Sequence, residues 1–543
     1  MWHGSDQPAV HCVFIHTESD NMSLKRFAPC TVAALTVSSL ALGVAPAAEA
    51  AASAEAAASA KPKNIIYMIG DGMGYNHIAA ANLYQSGQSR YLLNNEADPA
   101  KLEELPGEAV QRFEDFNRLS MTTYQHDNKV GYDEKAAWSD HDWVMKDFTD
   151  SAAAGTAMAT GTKTINGSLG VDAQQKALQN TSEFGISKGK AAGVVSSVPF
   201  SHATPAAWAA HNESRNNYHA IADEMIASDL SVIMGAGHPL FDDNAKQLDN
   251  PDYKYLSEEA YTNLAEGKTD WNFVTDQDDF AKLAKDANSV DGKYFGLPQV
   301  ASTLQQGRDG DTAVPYKAKR NDVADLSTMS VGALNVLNQD EDGFHVMIEG
   351  GAIDWAGHAN TIGRDVEETI DFYNAVDGVI DWVEENSSWD ETLLIVTADH
   401  ETGYLTGADD IPGFSPLTGD KEKAPAHKYN SDDHTNQLVP FFFKGAGSED
   451  LLAEATGVDP VRGKYLDNTT VAKLTMNNWW AEAAGDDTDG NGSTDNTDGQ
   501  AEGSSKEAKI AAGVAGGLAL VLALIAGAYQ AGLLPNIPGL PKF

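Results

Sequence analysis

Residues 64–74 read NIIYMIGDGMG, a continuous apolar run that ends where Asp71 stands between two glycines. Continuous hydrophobicity, without the alternation of a half-exposed strand, is typical of a strand buried on both faces of a parallel sheet. Because ligands of open parallel sheets bind at the carboxyl ends of the strands, we expect Asp71 to lie at a functional site.

Further apolar runs alternate with helical patterns along the chain. This alternation predicts an α/β fold with a large central, mostly parallel sheet flanked by helices. The polar, irregular stretches at residues 92–146 and 241–320 are predicted to be insertions over the active-site edge of the sheet. Strands are expected at residues 65–69, 194–195, 232–234, 344–348 and 393–396, and a helix with one buried stripe at Val366, Ile370, Tyr373, Val376, Ile380 and Val383.

Two later strands also end in acidic residues. Glu349 follows the run at residues 344–348, and Asp399 follows the run at residues 393–396, with His400 beside it. The carboxyl ends of parallel strands share one edge, so three strands are predicted to bring carboxylates together there. Uncompensated carboxylates that are packed together resist ionisation, and such a cluster therefore indicates bound cations.

Histidines near these acids indicate which cations are expected. Asp354 and His358 are four residues apart, on one face of a helical turn, while His434 follows two aspartates. Mixed imidazole and carboxylate ligands without a thiolate favour zinc, whereas all-oxygen ligand sets favour magnesium. Each histidine alone would more often be structural, and it is their association with acids that indicates metal ligands.

A candidate nucleophile lies in DSAAAGTA, residues 150–157. This stretch predicts the start of a helix, with Ser151 in a first turn whose free backbone N–H groups could face an anion. A plain helix cap is the alternative interpretation. A Ser-His-Asp hydrolase is a further alternative, but the Gly-x-Ser-x-Gly motif of that class is missing.

With these motifs in this order, the chain resembles the metal-dependent alkaline phosphatases over roughly residues 64–445. DSAA at residues 150–153 and TADH at residues 397–400 carry most of the resemblance. It implies hydrolysis of phosphate monoesters through a phosphoserine at Ser151, with Arg215 holding the substrate phosphate. It also implies one Zn2+ bound by Asp354, His358 and His434, a second Zn2+ bound by Asp71, Asp399 and His400, and one Mg2+ bound by Asp71, Thr204 and Glu349.

Two predicted substrate-binding positions depart from the best-known bacterial pattern of this family. His202 stands where that pattern has Asp, and Trp355 stands where it has Lys. Both residue types occur in other members, so the activity is still expected, whereas the occupancy of the magnesium site and the mode of phosphate binding are left open.

Three other functions were weighed against phosphomonoester hydrolysis. A phosphodiesterase of the same superfamily is not excluded by the motifs. A sulfatase is disfavoured because no Cys/Ser-x-Pro-x-Arg motif surrounds Ser151. A non-enzymatic metal-binding surface protein is also disfavoured, since binding a metal requires neither Ser151 nor Arg215.

The composition excludes two further classes. The 543 residues include 79 Asp plus Glu and 37 Lys plus Arg, giving a formal net charge of −42, which disfavours a nucleic-acid-binding surface. The cysteines are Cys12 and Cys30, too few for a disulfide framework. A homodimer is compatible with the sequence.

Composition also predicts a domain plan in which the chain is exported and its catalytic part is held outside the cell by a C-terminal membrane helix. Within the acidic spacer at residues 485–509, residues 487–498 resemble a calcium loop that lacks the final Glu. A plain acidic spacer is therefore favoured over Ca2+ binding. The predicted segments are 1–21, a misassigned start or leader; 22–50, a signal peptide; 51–62, an Ala-rich linker; 63–484, the catalytic domain; 485–509, the acidic spacer; 510–529, a transmembrane helix; and 530–543, a tail.

Overall fold

The structure is a computed structural model and describes residues 60–482, apart from residue 97, residues 288–289 and residues 409–414. Two compact units are distinguished, Met1–Trp479 and Trp480–Phe543. The fold below is that of the first unit, because only residues 480–482 of the second belong to the described part.

The first unit is built on one large sheet, as the apolar runs predicted. The sheet has eleven strands in the order β14-β15-β2-β13-β8-β1-β7-β3-β4-β6-β5, and two small two-stranded sheets accompany it. In chain order, the described strands are β1 (Asn64–Gly70), β2 (Asn117–Thr122), β3 (Ala191–Pro199), β4 (Val232–Ala236), β5 (Trp271–Val274), β6 (Lys293–Gly296), β7 (Phe344–Gly350), β8 (Thr392–Thr397), β9 (Glu401–Thr402), β10 (Leu405–Thr406), β11 (Lys428–Tyr429), β12 (His434–Thr435), β13 (Val439–Gly445), β14 (Gly457–Asp459) and β15 (Gly463–Asp467).

The strand β1 lies at the centre of the sheet and is buried along its whole length. It pairs in parallel with β7 and with β8, and both pairings place Ile69 level with the strand ends, opposite Glu349 and Thr397. The pairs β7–β3, β3–β4, β4–β6 and β6–β5 are also parallel. The predicted strands are therefore confirmed, and their carboxyl ends meet at one edge of the sheet.

Helices cover the sheet, and the long α12 confirms the predicted amphipathic helix. Its apolar positions are buried, and it packs against α1, α10 and α11. The described helices are α1 (Tyr75–Ser86), α2 (Ala136–Ser139), α3 (His141–Val144), α4 (Ser151–Thr160), α5 (Thr181–Ser187), α6 (Ala203–Ala207), α7 (Tyr218–Ile226), α8 (Glu258–Ala265), α9 (Gln277–Lys285), α10 (Leu326–Leu337), α11 (Ala352–His358), α12 (Ile362–Asn386), α13 (Ser448–Glu454) and α14 (Thr470–Leu474), with 3₁₀ turns at Pro99–Lys101 and Arg112–Asp115 and a π-helical turn at Thr475–Trp479.

The two stretches predicted as insertions also contribute strands to the main sheet. Residues 92–146 supply β2, which lies between β13 and β15, and residues 241–320 supply β5 and β6 at one end of the sheet. The sequence pattern missed these strands because they are short and not continuously apolar: β2 reads NRLSMT, and β5 reads WNFV with an exposed Asn272. Pairing with neighbours that are distant in sequence stabilises them, and a local pattern cannot show that.

The structure corrects the predicted localisation. Across residues 60–482, with the gaps given above, no helix is both long enough and apolar enough to cross a membrane. The anchor predicted at residues 510–529 lies outside the described residues, as do the signal peptide at 22–50 and the spacer at 485–509 with its calcium-loop hypothesis. The predicted localisation on a membrane helix is therefore corrected: membrane anchoring is unsupported and is withdrawn.

Candidate metal and phosphate site

The candidate nucleophile Ser151 occupies the first turn of α4, as predicted, and is buried. Asp150 is the N-cap, because its Oδ1 accepts a hydrogen bond of 2.9 Å from the backbone N–H of Ala153. Its second oxygen, Oδ2, accepts from the N–H of Gly167 at 2.9 Å, which fastens the start of the helix to the following loop. The Ser151 hydroxyl lies 3.2 Å from His400 Nε2. A rigid helix N-terminus thus presents the hydroxyl to the sheet edge.

Arg215 lies beside this helix start. Its Nη1 is 3.0 Å from Asp150 Oδ2, so the carboxylate that caps α4 also orients the guanidinium. Its Nη2 is 3.4 Å from His202 Nε2. Burial, together with the nearby charge of Arg215, lowers the pKa of His202 to about 3, and this histidine therefore remains neutral. The ring of Trp355 contacts the ring of His202, with 5.6 Å between centroids.

A first cluster of metal-ligand types is formed by Asp354, His358 and His434. Asp354 Oδ1 lies 3.3 Å from His358 Nε2 and 3.3 Å from His434 Nε2, and the two Nε2 atoms are 3.0 Å apart. Tetrahedral zinc with bonds of roughly 2.0–2.1 Å separates its ligand atoms by about 3.3 Å. The three atoms therefore already have the spacing of three corners of a zinc tetrahedron.

A second cluster lies at the ends of β1 and β8. His400 Nε2 is 3.4 Å from Asp71 Oδ1 and 3.3 Å from Asp399 Oδ2, and all three side chains are fully buried. These separations again match those between zinc ligands. Ser151 Oγ, at 3.2 Å from the same His400 nitrogen, lies at the margin of this cluster.

In His434 and His358, the ring nitrogen that does not face Asp354 has a hydrogen-bond partner that orients the ring. His434 Nδ1 is 2.8 Å from the carbonyl oxygen of Thr149, and His358 Nδ1 is 2.6 Å from that of Asp432. A carbonyl only accepts, so each Nδ1 carries the proton and each Nε2 turns towards Asp354. Two Nε2 lone pairs 3.0 Å apart repel each other unless a proton or a cation lies between them. The arrangement therefore favours a bound cation.

The pKa values of the carboxylates at the strand ends also favour bound cations. Burial raises the pKa of Asp71 well above its usual range, and the charges of Asp399, Asp354 and Glu349 raise it further. Burial likewise raises the pKa of Asp399 to about 6 and that of Glu349 to about 7. Both oxygens of Asp71, Oδ2 of Asp399 and Oε1 of Glu349 have no hydrogen-bond partner. Buried acceptors of this kind need cations to compensate them.

Asp354 behaves differently because it is paired with an imidazolium. Burial alone would raise its pKa, but the hydrogen bond and the charge of His434 hold the pKa of Asp354 well below its usual range. Burial disfavours the charged form of His434, and the interaction with Asp354 outweighs it, raising the pKa of His434 to about 9.

The residues predicted for magnesium are all buried at the same edge. Thr204 lies in α6 beside Glu349, whose Oε2 accepts a hydrogen bond from the hydroxyl of Ser196. Glu349 also faces Asp71, which lies in the second histidine-containing cluster. Asp71, Thr204 and Glu349 offer oxygen donors, which suit a hard cation such as magnesium. The residues present therefore fit the metals that the resemblance implied.

All twelve predicted site residues are brought together, and four neighbouring residues were missed. Asp150 adjoins the predicted nucleophile, and Thr402 lies two residues after His400, so reading outward from the motifs could have found both. Ser196 lies in β3 directly after the predicted strand at residues 194–195, so the strand-end rule that identified Asp71 could have found it too. Asp433 is a further oxygen donor, exposed and within 4.8 Å of the ligand atoms of His358 and His434.

The chain is similar to known proteins over most of its length. The family described as Alkaline phosphatase matches residues 62–441. The chain is 32% identical to Alkaline phosphatase 3 of Bacillus subtilis (strain 168) over 396 residues, which cover 71% of each chain. It is 29% identical to Alkaline phosphatase of Escherichia coli (strain K12) over 389 residues, which cover 67% of this chain and 75% of that one.

Solved structures show the same fold. The structure is similar to that of a cold-active alkaline phosphatase from the psychrophile Shewanella sp., with a TM-score of 0.52, 26% identity, and coverage of 76% of this chain and 99% of that one. It is also similar to the alkaline phosphatase of the Antarctic bacterium TAB5, with a TM-score of 0.52, 22% identity, and coverage of 77% and 99%. A mutant of the TAB5 protein was solved with Mg bound in its M3 site.

Proposed function

The chain belongs to the alkaline phosphatase family, and on that premise we propose that it hydrolyses phosphate monoesters by way of a phosphoserine at Ser151. The observation that carries the proposal is the position of Ser151 Oγ, 3.2 Å from His400 Nε2 and at the N-terminus of α4. There the hydroxyl adjoins one candidate zinc cluster while Arg215 approaches from the helix side. The catalytic domain is proposed to be residues 63–484.

We assign Asp354, His358 and His434 to one zinc and Asp71, Asp399 and His400 to a second. Magnesium is assigned to Asp71, Thr204 and Glu349. When bound, these ions supply positive charge that lowers the pKa of the nucleophilic hydroxyl and offsets the charge of the transferring phosphoryl group. Their combined charge also compensates the unpartnered carboxylate oxygens of Asp71, Asp399 and Glu349.

The chain's own groups bind and orient the phosphate. Arg215 offers planar N–H donors that match two phosphoryl oxygens, and its contact with Asp150 Oδ2 keeps the guanidinium aimed at the start of α4. The positive end of the α4 dipole faces the same place. His202 is neutral, and its Nε2 contacts Arg215 Nη2, so it helps to position the guanidinium without adding charge.

The reaction then proceeds in two displacements at Ser151. The Oγ of Ser151 attacks phosphorus, the bond between phosphorus and the alcohol oxygen breaks, and the alcohol leaves with a proton. Water then attacks the phosphoserine, releasing inorganic phosphate and restoring the serine hydroxyl. Because Ser151 is fixed by the capped first turn of α4, its oxygen needs little reorganisation between these steps.

The proposal is tested by metal analysis of the purified protein together with hydrolysis assays across pH. The substrates are a chromogenic phosphate monoester, a phosphate diester and a sulfate ester. We expect bound zinc and magnesium and a clear preference for the monoester. A preference for the diester would identify a phosphodiesterase, and stoichiometric metal without any hydrolysis would identify a metal-binding protein without catalysis.

A further inference from the structure

We propose that Thr402 is a positioning residue whose single hydroxyl contacts one ligand of each zinc cluster and fixes the tautomer of His400. The inference rests on the two-zinc assignment made above. Thr402 lies in β9, two residues after His400, and is fully buried. In the small sheet of β9 and β12 it is paired directly with His434. It is therefore adjacent to His434 of one cluster and two residues from His400 of the other.

The hydroxyl of Thr402 contacts one ligand from each cluster. Its Oγ1 lies 2.5 Å from Asp354 Oδ1, the oxygen that faces His358 and His434. The same Oγ1 lies 3.2 Å from Nδ1 of His400. Both contacts are buried, so no solvent competes for them.

The number of hydrogens fixes the direction of both bonds. A hydroxyl has one hydrogen, and an ionised carboxylate only accepts, so the Thr402 hydrogen goes to Asp354. Towards His400 the Thr402 oxygen can then act only as an acceptor, and the proton must be on His400 Nδ1. His400 Nε2 is thereby left with a lone pair directed at Asp71, Asp399 and Ser151. This is the tautomer that binds a metal through Nε2.

Close packing holds the hydroxyl in this place. A Cβ added at Gly72, where φ is +75°, would lie 2.7 Å from Thr402 Oγ1, and one at Gly357 would lie 3.0 Å from Thr402 Cγ2. The backbone N–H of Thr402 donates to the carbonyl of Gly72 at 3.1 Å. Two glycines thus leave room for the threonine side chain, whose methyl and hydroxyl each have a defined neighbour.

Two substitutions separate the hydroxyl from the shape of the side chain. Thr402→Val keeps the branched shape and removes the hydroxyl, whereas Thr402→Ser keeps the hydroxyl and removes the methyl. Thr406→Val is the matched control. Thr406 is also a buried threonine on a short strand of the same region, and its hydroxyl bonds Gly407 and Asn430 and contacts none of the proposed ligands.

The experiment dialyses each zinc-loaded holoenzyme against increasing chelator concentrations and measures the zinc retained per chain. We expect Thr402→Val to lose zinc at a 10- to 100-fold lower chelator concentration than the wild type. This is the usual loss of metal affinity when an outer hydrogen-bond partner of metal ligands is removed. We also expect release in two separate steps, because the shared hydroxyl is gone. Thr402→Ser and Thr406→Val should retain zinc as the wild type does.

Each other result has a defined meaning. If Thr402→Val retains zinc like the wild type, or if Thr402→Ser loses as much as Thr402→Val, the inference is overturned and Thr402 only fills space. Thermal unfolding of the metal-loaded variants checks that they fold, and the serine variant remains informative if the valine variant does not fold. A wild-type protein that retains no zinc overturns the proposed two-zinc site itself, and the inference with it.

Discussion

Replacing Ser151 with alanine removes one oxygen atom and leaves the surrounding framework in place. The helix cap is made by Asp150 and not by Ser151, and alanine is favourable in a helix. Among the described residues, the side-chain hydrogen bond that is lost is the one with His400 Nε2, so the free energy of unfolding should change by about 1 kcal/mol or less. Any large loss of activity in this variant therefore reports chemistry and not unfolding.

The expected catalytic loss is large because the covalent route disappears. Thr402 offers its hydroxyl on the Nδ1 side of the His400 ring, whereas Ser151 lies at Nε2, and so Thr402 is not placed to substitute. Loss of a nucleophile that acts as part of a unit typically costs on the order of 10³- to 10⁶-fold in rate. This corresponds to roughly 4–8 kcal/mol of transition-state stabilisation. Residual turnover would come from water attacking a phosphate that Arg215 still holds.

The assay combines kinetics with acid-quenched labelling by radioactive phosphate. We expect kcat/KM for a chromogenic phosphomonoester to fall by at least three orders of magnitude and the protein-bound label to disappear. Wild-type label should map to the peptide that contains Ser151. A labelled Ser151→Ala protein, or wild-type label on another residue, would refute the assignment of the nucleophile.

Three further predictions concern phosphate binding, metals and pH. Arg215→Lys keeps the charge but loses the planar pair of donors, so kcat/KM should fall about 10- to 150-fold, the equivalent of one charge-assisted hydrogen bond, and an unchanged value would exclude the proposed role. Chelation should abolish activity and zinc plus magnesium should restore it, while full activity in a rigorously metal-free sample would revive the serine-triad interpretation. Burial and the charge of Asp371 raise the pKa of Glu368 from 4.5 to about 8, so the folded state binds that proton more tightly and loses stability as the pH rises through this window. Thermal unfolding of Glu368→Gln should therefore show a gain over the wild type that is larger at pH 8 than at pH 5, and a gain independent of pH would contradict the argument.

The local sequence was sufficient to predict the central strands and to place the candidate site residues at one edge of the sheet. A strand buried on both faces must be continuously apolar, and for that reason β1, β7 and β8 could be read directly along the chain. The residues that follow such strands must lie at one edge, which is how Asp71, Glu349 and Asp399 were expected to meet. Motif order then associated Ser151 and Arg215 with them.

Contacts between distant segments could be decided only by the tertiary structure. The strand β2 is held by β13 and β15, which come hundreds of residues later, and its own residues do not predict that pairing. The same holds for the hydrogen bonds that set each histidine tautomer, since Thr149 and Asp432 reach His434 and His358 only after folding. Burial and like-charge proximity, which shift the pKa values of the carboxylates, arise only when the strand ends are packed together. Residue type and strand pattern are local properties, whereas the distances that make two groups of ligands into two metal sites are properties of the packed chain.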